Sequence, residues 1–265
     1  MDESTIRLTV FLSLILTLGI AQKLFPRRKP SYPLLRRWLT NFGIVIIDSI
    51  IVRFALGAML PVAVADWALE NDIGLFNVTD TPWLLAVIAS VILLDGLIYW
   101  QHRIFHRVPI LWRLHRVHHY DADYDLSTAL RFHPIEIVLS VLIKNAAILL
   151  LGAPAVAVII FEILLNGMAL FNHSNLALPT KADRLIRRLF VTPDMHRVHH
   201  SIYSREMHSN FGFNLSIWDR LFSSYVAQPQ DGHAEMQIGQ PDAGKLPTNN
   251  LLWLLGSALK QKVKY

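Results

Sequence analysis

Apolar positions along this chain fall into long runs rather than alternations. Residues 8–25, 42–65, 83–100, 135–151 and 153–171 are each close to the roughly 20 apolar residues that cross a bilayer as a helix. The first run reaches residue 25 if Lys23 snorkels to the headgroups. The fourth and fifth are parted only by a short segment with Gly152 and Pro154, so they predict two spans or a shorter hairpin that dips into the bilayer. The pattern predicts an all-α, integral membrane helical bundle of about 4–5 transmembrane helices. It divides into N-terminal anchor helices (1–82), a central region (83–228) and a C-terminal interfacial tail (229–265).

Polar positions gather where the runs end, and histidine dominates them. His-Arg-Val-His-His occurs twice, at His115, His118 and His119 and at His196, His199 and His200. His102 and His106 close the third run. Positions i, i+3 and i+4 share a helix face, so each box aims its imidazoles one way. Eight of the twelve histidines lie in these boxes, too many for one ion, and two metals sharing a site are expected. His173 and His133 fall at the same interfacial depth as His102, which makes His173 a plausible ninth ligand and His133 a ligand or positioning candidate. His208 and His233 read as ordinary polar residues.

Composition sharpens this picture. Hydrophobic residues make up 53% and charged residues 17%, too apolar for an ordinary soluble domain. With no cysteine, thiolate metal sites, iron–sulfur clusters and disulfides are excluded. Asp2 and Glu3 and the lack of a small-residue cleavage site make the N-terminus a retained anchor rather than a signal peptide. Arg27, Arg28, Lys29, Arg36 and Arg37 crowd the segment after the first run, whereas residues 66–82 hold four acids and no Lys or Arg. The positive-inside rule then puts the N-terminus outside and every histidine in a cytoplasmic cap. The net charge of +5 suits anionic headgroups, not nucleic acid.

Other polar residues have local roles. Asp95, Tyr99, His102 and His106 form one helical stripe, which suggests that Asp95 orients a ligand imidazole through its other ring nitrogen, with Tyr99 beside it. Thr192-Pro193-Asp194 reads as a helix N-cap, first-turn proline and first-turn acid ahead of the third box. Asp48 and Arg53 are expected to pair within a span, and Lys144 and Glu162 across the hairpin. Residues 181–190 and 251–259, the latter followed by Lys260, Lys262 and Lys264, read as interfacial helices.

Many nitrogen ligands without thiols suit Fe, Zn, Cu or Ni. A zinc-dependent membrane hydrolase needs only three protein ligands and a general base, and His-Glu-x-x-His is absent. A metal-binding or transport protein would place its ligands near the bilayer midplane, not at the ends of spans.

The chain resembles the fatty acid hydroxylase/sterol desaturase superfamily of membrane histidine-box oxygenases. The resemblance rests on Asp95-x-x-x-Tyr99-x-x-His102-Arg103-x-x-His106, His115-x-x-His118-His119, Arg131-x-His133-Pro134-x-Glu136, Asn172-His173-Ser174-Asn175 and His196-x-x-His199-His200. It ends with residues 210–214 (Asn-Phe-Gly-Phe-Asn) and Trp218-Asp219-Arg220-Leu221-Phe222, and covers about residues 85–228. The spacing from His102 to His115 is similar to that of bacterial and alkylglycerol monooxygenase-like members. The family's Phe-Gly-Thr is replaced by Phe222-Ser223-Ser224, which bears on the local turn.

The resemblance implies two Fe ions held by His102, His106, His115, His118, His119, His196, His199 and His200, with His173 and with His133 as a further candidate. It implies an enzyme, a di-iron oxidoreductase that uses O₂ and external electrons to hydroxylate or desaturate a lipid C–H bond. The lipid would be a fatty acid, sterol or ether lipid, and zinc could replace iron in recombinant protein. Neither a His-Pro-Gly-Gly haem motif nor a dinucleotide fingerprint is present, so a separate donor is expected, a cytochrome b5-like protein, a ferredoxin or a pterin. The expected location is a bacterial inner membrane, or the endoplasmic reticulum in a eukaryote.

Overall fold

The computed structural model describes residues 3–260; Asp2, Lys262 and Lys264 lie outside that range. Among the described residues no β-strand occurs, and five stretches are long and apolar enough to cross a membrane. The chain is an integral membrane helical bundle with a histidine-rich cap at one end. Its long helices are α1 (Glu3–Leu24), α2 (Leu34–Leu56), α5 (Trp83–Arg107), α7 (Pro134–Leu151) and α8 (Ala155–Asn172). Between α2 and α5 lie α3 (Pro61–Glu70) and α4 (Leu75–Val78). The cap is built from α6 (Pro109–His119), a 3₁₀ turn (Leu126–Leu130), α9 (Thr180–Ile186), α10 (Pro193–His199), α11 (Ser204–Met207), α12 (Ile217–Leu221), α13 (Gly232–Glu235) and α14 (Leu251–Lys260).

Proline and glycine set the boundaries. Proline opens α3, α6, α7 and α10, where its missing N–H costs no helical bond. The expected span at 42–65 is broken, because Gly57 takes a left-handed φ of 52° and Pro61 starts a new helix. Gly152, at φ 64°, caps α7 and turns the chain into α8. Each arm of that hairpin has 18 residues, about 27 Å of helix and near the thickness of the hydrocarbon core.

Helices α1 and α8 run parallel, as Arg7 meets Glu162 near one end and Gln22 accepts from the Asn175 N–H at the other. Lys144 completes this intramembrane group at 2.9 Å from Glu162 across the hairpin. A buried carboxylate in lipid needs such partners. The core between α5, α7 and α8 holds Leu94, Ile98, Ile148, Val158, Phe161 and Leu170. Arg53 lies exposed and makes no ion pair with Asp48: five residues along a helix rotate about 140° around the axis, to another face.

The cap is held by buried charge. Arg37, 1% exposed, sends Nε to Asp121 Oδ1 (2.7 Å) and Nη1 to Asp125 Oδ2 (2.7 Å). Arg131 reaches Val117 O, Asn41 Oδ1 and Thr248 O. Arg27 pairs with Asp194, and Arg28 donates to Met236 O. Of the five basic residues behind the orientation argument, three therefore stitch the cap together, and Lys29 and Arg36 remain exposed. Helix α14 is more than an interfacial helix. Leu254 and Ala258 pack into a cap core with Leu114 and Val117, while Leu252 and Leu259 stay exposed on the other face.

Candidate metal centre

Nine imidazoles converge where α5 and α8 leave the bundle. His102 and His106 occupy the last turns of α5, His115, His118 and His119 the last turn and a half of α6, and His173 the end of α8. Helix α10 supplies His196 and His199, with His200 as its C-cap. Thr192 caps α10 by accepting from the Met195 N–H, as the Thr-Pro-Asp pattern predicts. All nine rings are at most 4% exposed.

They sort into two groups whose ligand atoms all lie within 4.8 Å of one another: His102, His106, His115, His119 and His199; and His118, His173, His196 and His200. No imidazole belongs to both. The groups touch, with His119 and His200 stacked at 4.6 Å between centroids.

The hydrogen bonds fix which nitrogen faces inward. His102 Nδ1 donates to Phe211 O (2.8 Å), His199 Nδ1 to Ser209 O (2.7 Å) and His115 Nδ1 to Glu136 Oε1 (2.6 Å). In the second group His118 Nδ1 donates to Arg131 O (3.2 Å) and His173 Nδ1 to Ala169 O (2.7 Å). A carbonyl can only accept, so the proton sits on Nδ1 and Nε2 carries a lone pair. His118 and His173 then face each other with two Nε2 lone pairs 3.1 Å apart. The same spacing recurs from His118 to His200 and from His196 to His173. Facing lone pairs repel unless a cation lies between them. Metal–nitrogen bonds of about 2.0–2.1 Å put tetrahedral neighbours about 3.3 Å apart, so this donor set fits a metal ion. Burial pushes His115 and His173 down to about 3, which keeps both rings in the neutral form a metal requires.

His133 stands apart from both groups. Its Nδ1 accepts from the Ile135 N–H and its Nε2 donates to Leu255 O, so it caps α7 and ties it to α14. Asp95 meets no imidazole either. Seven residues put it about 10 Å from His102 along the helix, beyond reach of that ring. It instead accepts from Trp218 Nε1 (2.8 Å), Leu215 N (3.1 Å) and Asn214 N (3.3 Å). Asp219 accepts from the N–H groups of Phe211 and Gly212, both at 2.8 Å. The two acids thus clamp the loop whose Phe211 carbonyl orients His102. A Cβ on Gly212 would lie 2.8 Å from Asp219 Oδ2, so the clamp requires glycine there. Tyr99 joins the clamp through Ser224 Oγ (2.8 Å), itself bound to Asp219 (2.7 Å). Ser223 takes φ 55°, the left-handed turn a glycine would make, at a cost of about 1 kcal/mol.

Glu136 is the orienting carboxylate that the stripe argument assigned to Asp95. Its spacing to His133-Pro134 was visible, but not its reach to His115. The remaining orienting groups are backbone carbonyls, which no residue type announces. His208 is exposed beside Trp112 and His106, and His233 is buried 3.8 Å from Asp194.

The fatty acid hydroxylase profile matches residues 87–224, just over half of the chain. The chain belongs to the fatty acid hydroxylase family. It is 26% identical over 240 residues to the ornithine lipid hydroxylase OlsE of Rhizobium tropici, covering 86% of this chain and 70% of that protein. It is 30% identical over 160 residues to the alkylglycerol monooxygenase of Homo sapiens, covering 58% of this chain and 33% of that one, so it spans about a third of that relative. The cholesterol 25-hydroxylase of Rattus norvegicus is 21% identical over 210 residues, covering 78% of this chain and 66% of that protein. No solved structure matches the chain.

Proposed function

We propose that this member of the fatty acid hydroxylase family is a membrane di-iron oxygenase that hydroxylates a C–H bond of a lipid, using O₂ and electrons from a separate protein. One observation carries the reading. A cavity of about 840 Å³ lies among α1, α2, α5, α7 and α8, and His102 and His115 form part of its wall. Sites of this size hold extended organic ligands. The histidine group of five thus borders a space among the spans, as oxidation of a membrane lipid needs. The relatives named as lipid hydroxylases and monooxygenases support the same reaction class.

The groups of five and four histidines would hold one iron each, and iron there would supply the O₂ reduction and C–H oxidation. The chain's own residues do the rest. Phe211, Ser209, Arg131 and Ala169 carbonyls and Glu136 hold the rings in one tautomer and angle. Ile98, Phe105, Leu130 and Phe213 line the cavity beside His102 and His115 and keep water from the reacting carbon. Exposed Arg107, Arg188 and Arg205 on the cap suit docking of an acidic electron carrier. The catalytic region is assigned to residues 83–228.

The test is lipid analysis of cells with and without the gene under ¹⁸O₂. A lipid that gains one ¹⁸O only with the active protein is the expected result. Loss of two hydrogens without label would mean desaturation. No changed lipid, with iron-loaded protein and a competent donor, would sink the oxygenase reading.

The N-terminus is assigned outside and the cap to the cytoplasm, on the exposed Lys29 and Arg36 against the acidic residues 66–82. In this cysteine-free chain, Asp80→Cys should react with an impermeant thiol reagent in intact cells, and Gln228→Cys only after the membrane is opened. The reverse pattern would invert the assignment.

A further inference from the structure

The cavity beside the histidines is not lined as a passage for hydrocarbon alone. Asp48, in the middle of α2, is part of its wall and 4% exposed. Its Oδ1 is buried without a hydrogen-bond partner. A carboxylate in that position is costly unless a partner arrives. Arg53 does not serve, as it lies exposed on another face.

Glu136 lines the same cavity from α7, the helix that packs against α2. Its Oε1 is engaged by His115 Nδ1, and its Oε2 is buried with no partner. Two carboxylates from packed helices therefore each leave one oxygen free at the cavity wall, and Glu136 holds His115 as well. The cavity's cations do not meet that need, because Lys144 and Arg7 are both bound to Glu162.

We propose that this carboxylate pair binds the primary ammonium group of an aminolipid, drawn from the membrane into the cavity with its polar end toward His115. The chemistry selects the group. A primary ammonium offers three N–H donors and one positive charge, so it can satisfy both free oxygens and offset their charge. A hydroxyl donates one hydrogen and no charge. A quaternary ammonium brings charge but no hydrogen. The ligand is a lipid rather than a free amine, because the cavity lies among the spans and most of its wall is aliphatic or aromatic. This inference rests on the lipid-oxidation reading for its place in the reaction, but binding itself needs no turnover.

The experiment uses the full chain, iron-loaded and in nonionic detergent, titrated with phosphatidylethanolamine, phosphatidylcholine and phosphatidylglycerol of one short chain length. Phosphatidylethanolamine should bind about tenfold or more tightly than the other two, the size of one charge-assisted hydrogen bond. Ethanolamine phosphate, with the same amine and no chains, should bind far more weakly. Asp48→Asn, which keeps shape and an acceptor oxygen but loses charge, should level the three lipids and leave metal content unchanged. Equal binding of the three lipids by the native chain overturns the proposal, as does a preference that survives Asp48→Asn. Should that variant fail to fold, the native comparison decides alone, since phosphatidylcholine differs from phosphatidylethanolamine only in its N-methyl groups. Equal binding by the native chain with ¹⁸O incorporation intact defeats this inference and spares the oxygenase. A phosphatidylethanolamine preference of the native chain, lost in Asp48→Asn, without any oxidised lipid does the reverse.

Discussion

His118→Ala should lower the metal content of iron-supplied protein from about two ions per chain to about one. His118 belongs to the group of four, so its loss leaves three imidazoles and removes the Nε2 that lies 3.1 Å from both His173 and His200. His199→Ala should be milder, because four imidazoles of the other group remain. Glu136→Ala should be milder still in ligand number, yet it frees the His115 ring to turn and should weaken metal affinity about 10- to 100-fold. The order of loss is what geometry adds to a motif: the two identical pentapeptides do not each make a site. The first divides between the groups, His115 and His119 on one side and His118 on the other, and the second divides likewise. Metal analysis with Mössbauer spectroscopy on the three variants reads the order directly. Full occupancy in His118→Ala would refute the assignment of the second group. Zinc outcompetes ferrous iron for nitrogen ligands, so zinc in overexpressed protein would not count against it.

The bundle and the gathering of histidines were legible because both depend on side-chain type and period. Long apolar runs announce spans, and i, i+3, i+4 spacing announces a shared face. What stayed hidden depends on tertiary contact. Phe211, Ser209, Arg131 and Ala169 orient rings through main-chain oxygens, which every residue has. Asp95 looked like an orienting group because it shares a stripe with His102, but a shared stripe says nothing of axial distance. His133 shares a depth with the ligands and still spends both ring nitrogens on the backbone around α7. Helix α2 starts at Leu34 rather than at residue 42, since its first turns leave the apolar zone to insert Arg37 and Asn41 into the cap. Charge counting alone reads Arg37 as a topology signal.

That buried arginine sets the largest expected effect on stability. Asp121→Asn should destabilise the protein by about 3–5 kcal/mol, the cost of leaving buried charge uncompensated. Asp121 is 1% exposed and accepts from Arg37 Nε and Nη2, Thr128 Oγ1 and Asn41 Nδ2. Arg131 also feels its charge. Replacing it strands part of Arg37 and Arg131 in a site that water does not reach, although Asp125 still holds Arg37 Nη1. The change also reaches the candidate metal site. Asp121 follows His119 by two residues, and Arg131 carries the carbonyl that fixes His118. Weakened metal binding should therefore accompany the fall in stability, most in the group of four. Arg37 holds the Asp121 carboxyl well below the usual carboxylate range, against the upward push of burial. A depressed folded-state value means that this stabilisation is complete above the ordinary carboxylate value near 4 and fades only as pH falls below it. The native chain should hold its unfolding midpoint down to about pH 4 on this account, whereas Asp121→Asn should start lower and lack that acid-side fall. Thermal unfolding in detergent across pH 3–8 tests both parts. A variant as stable as the native chain at pH 7 would show that the Arg37 network does not hold the cap to α2, and that the helices around the histidines are fixed by packing alone.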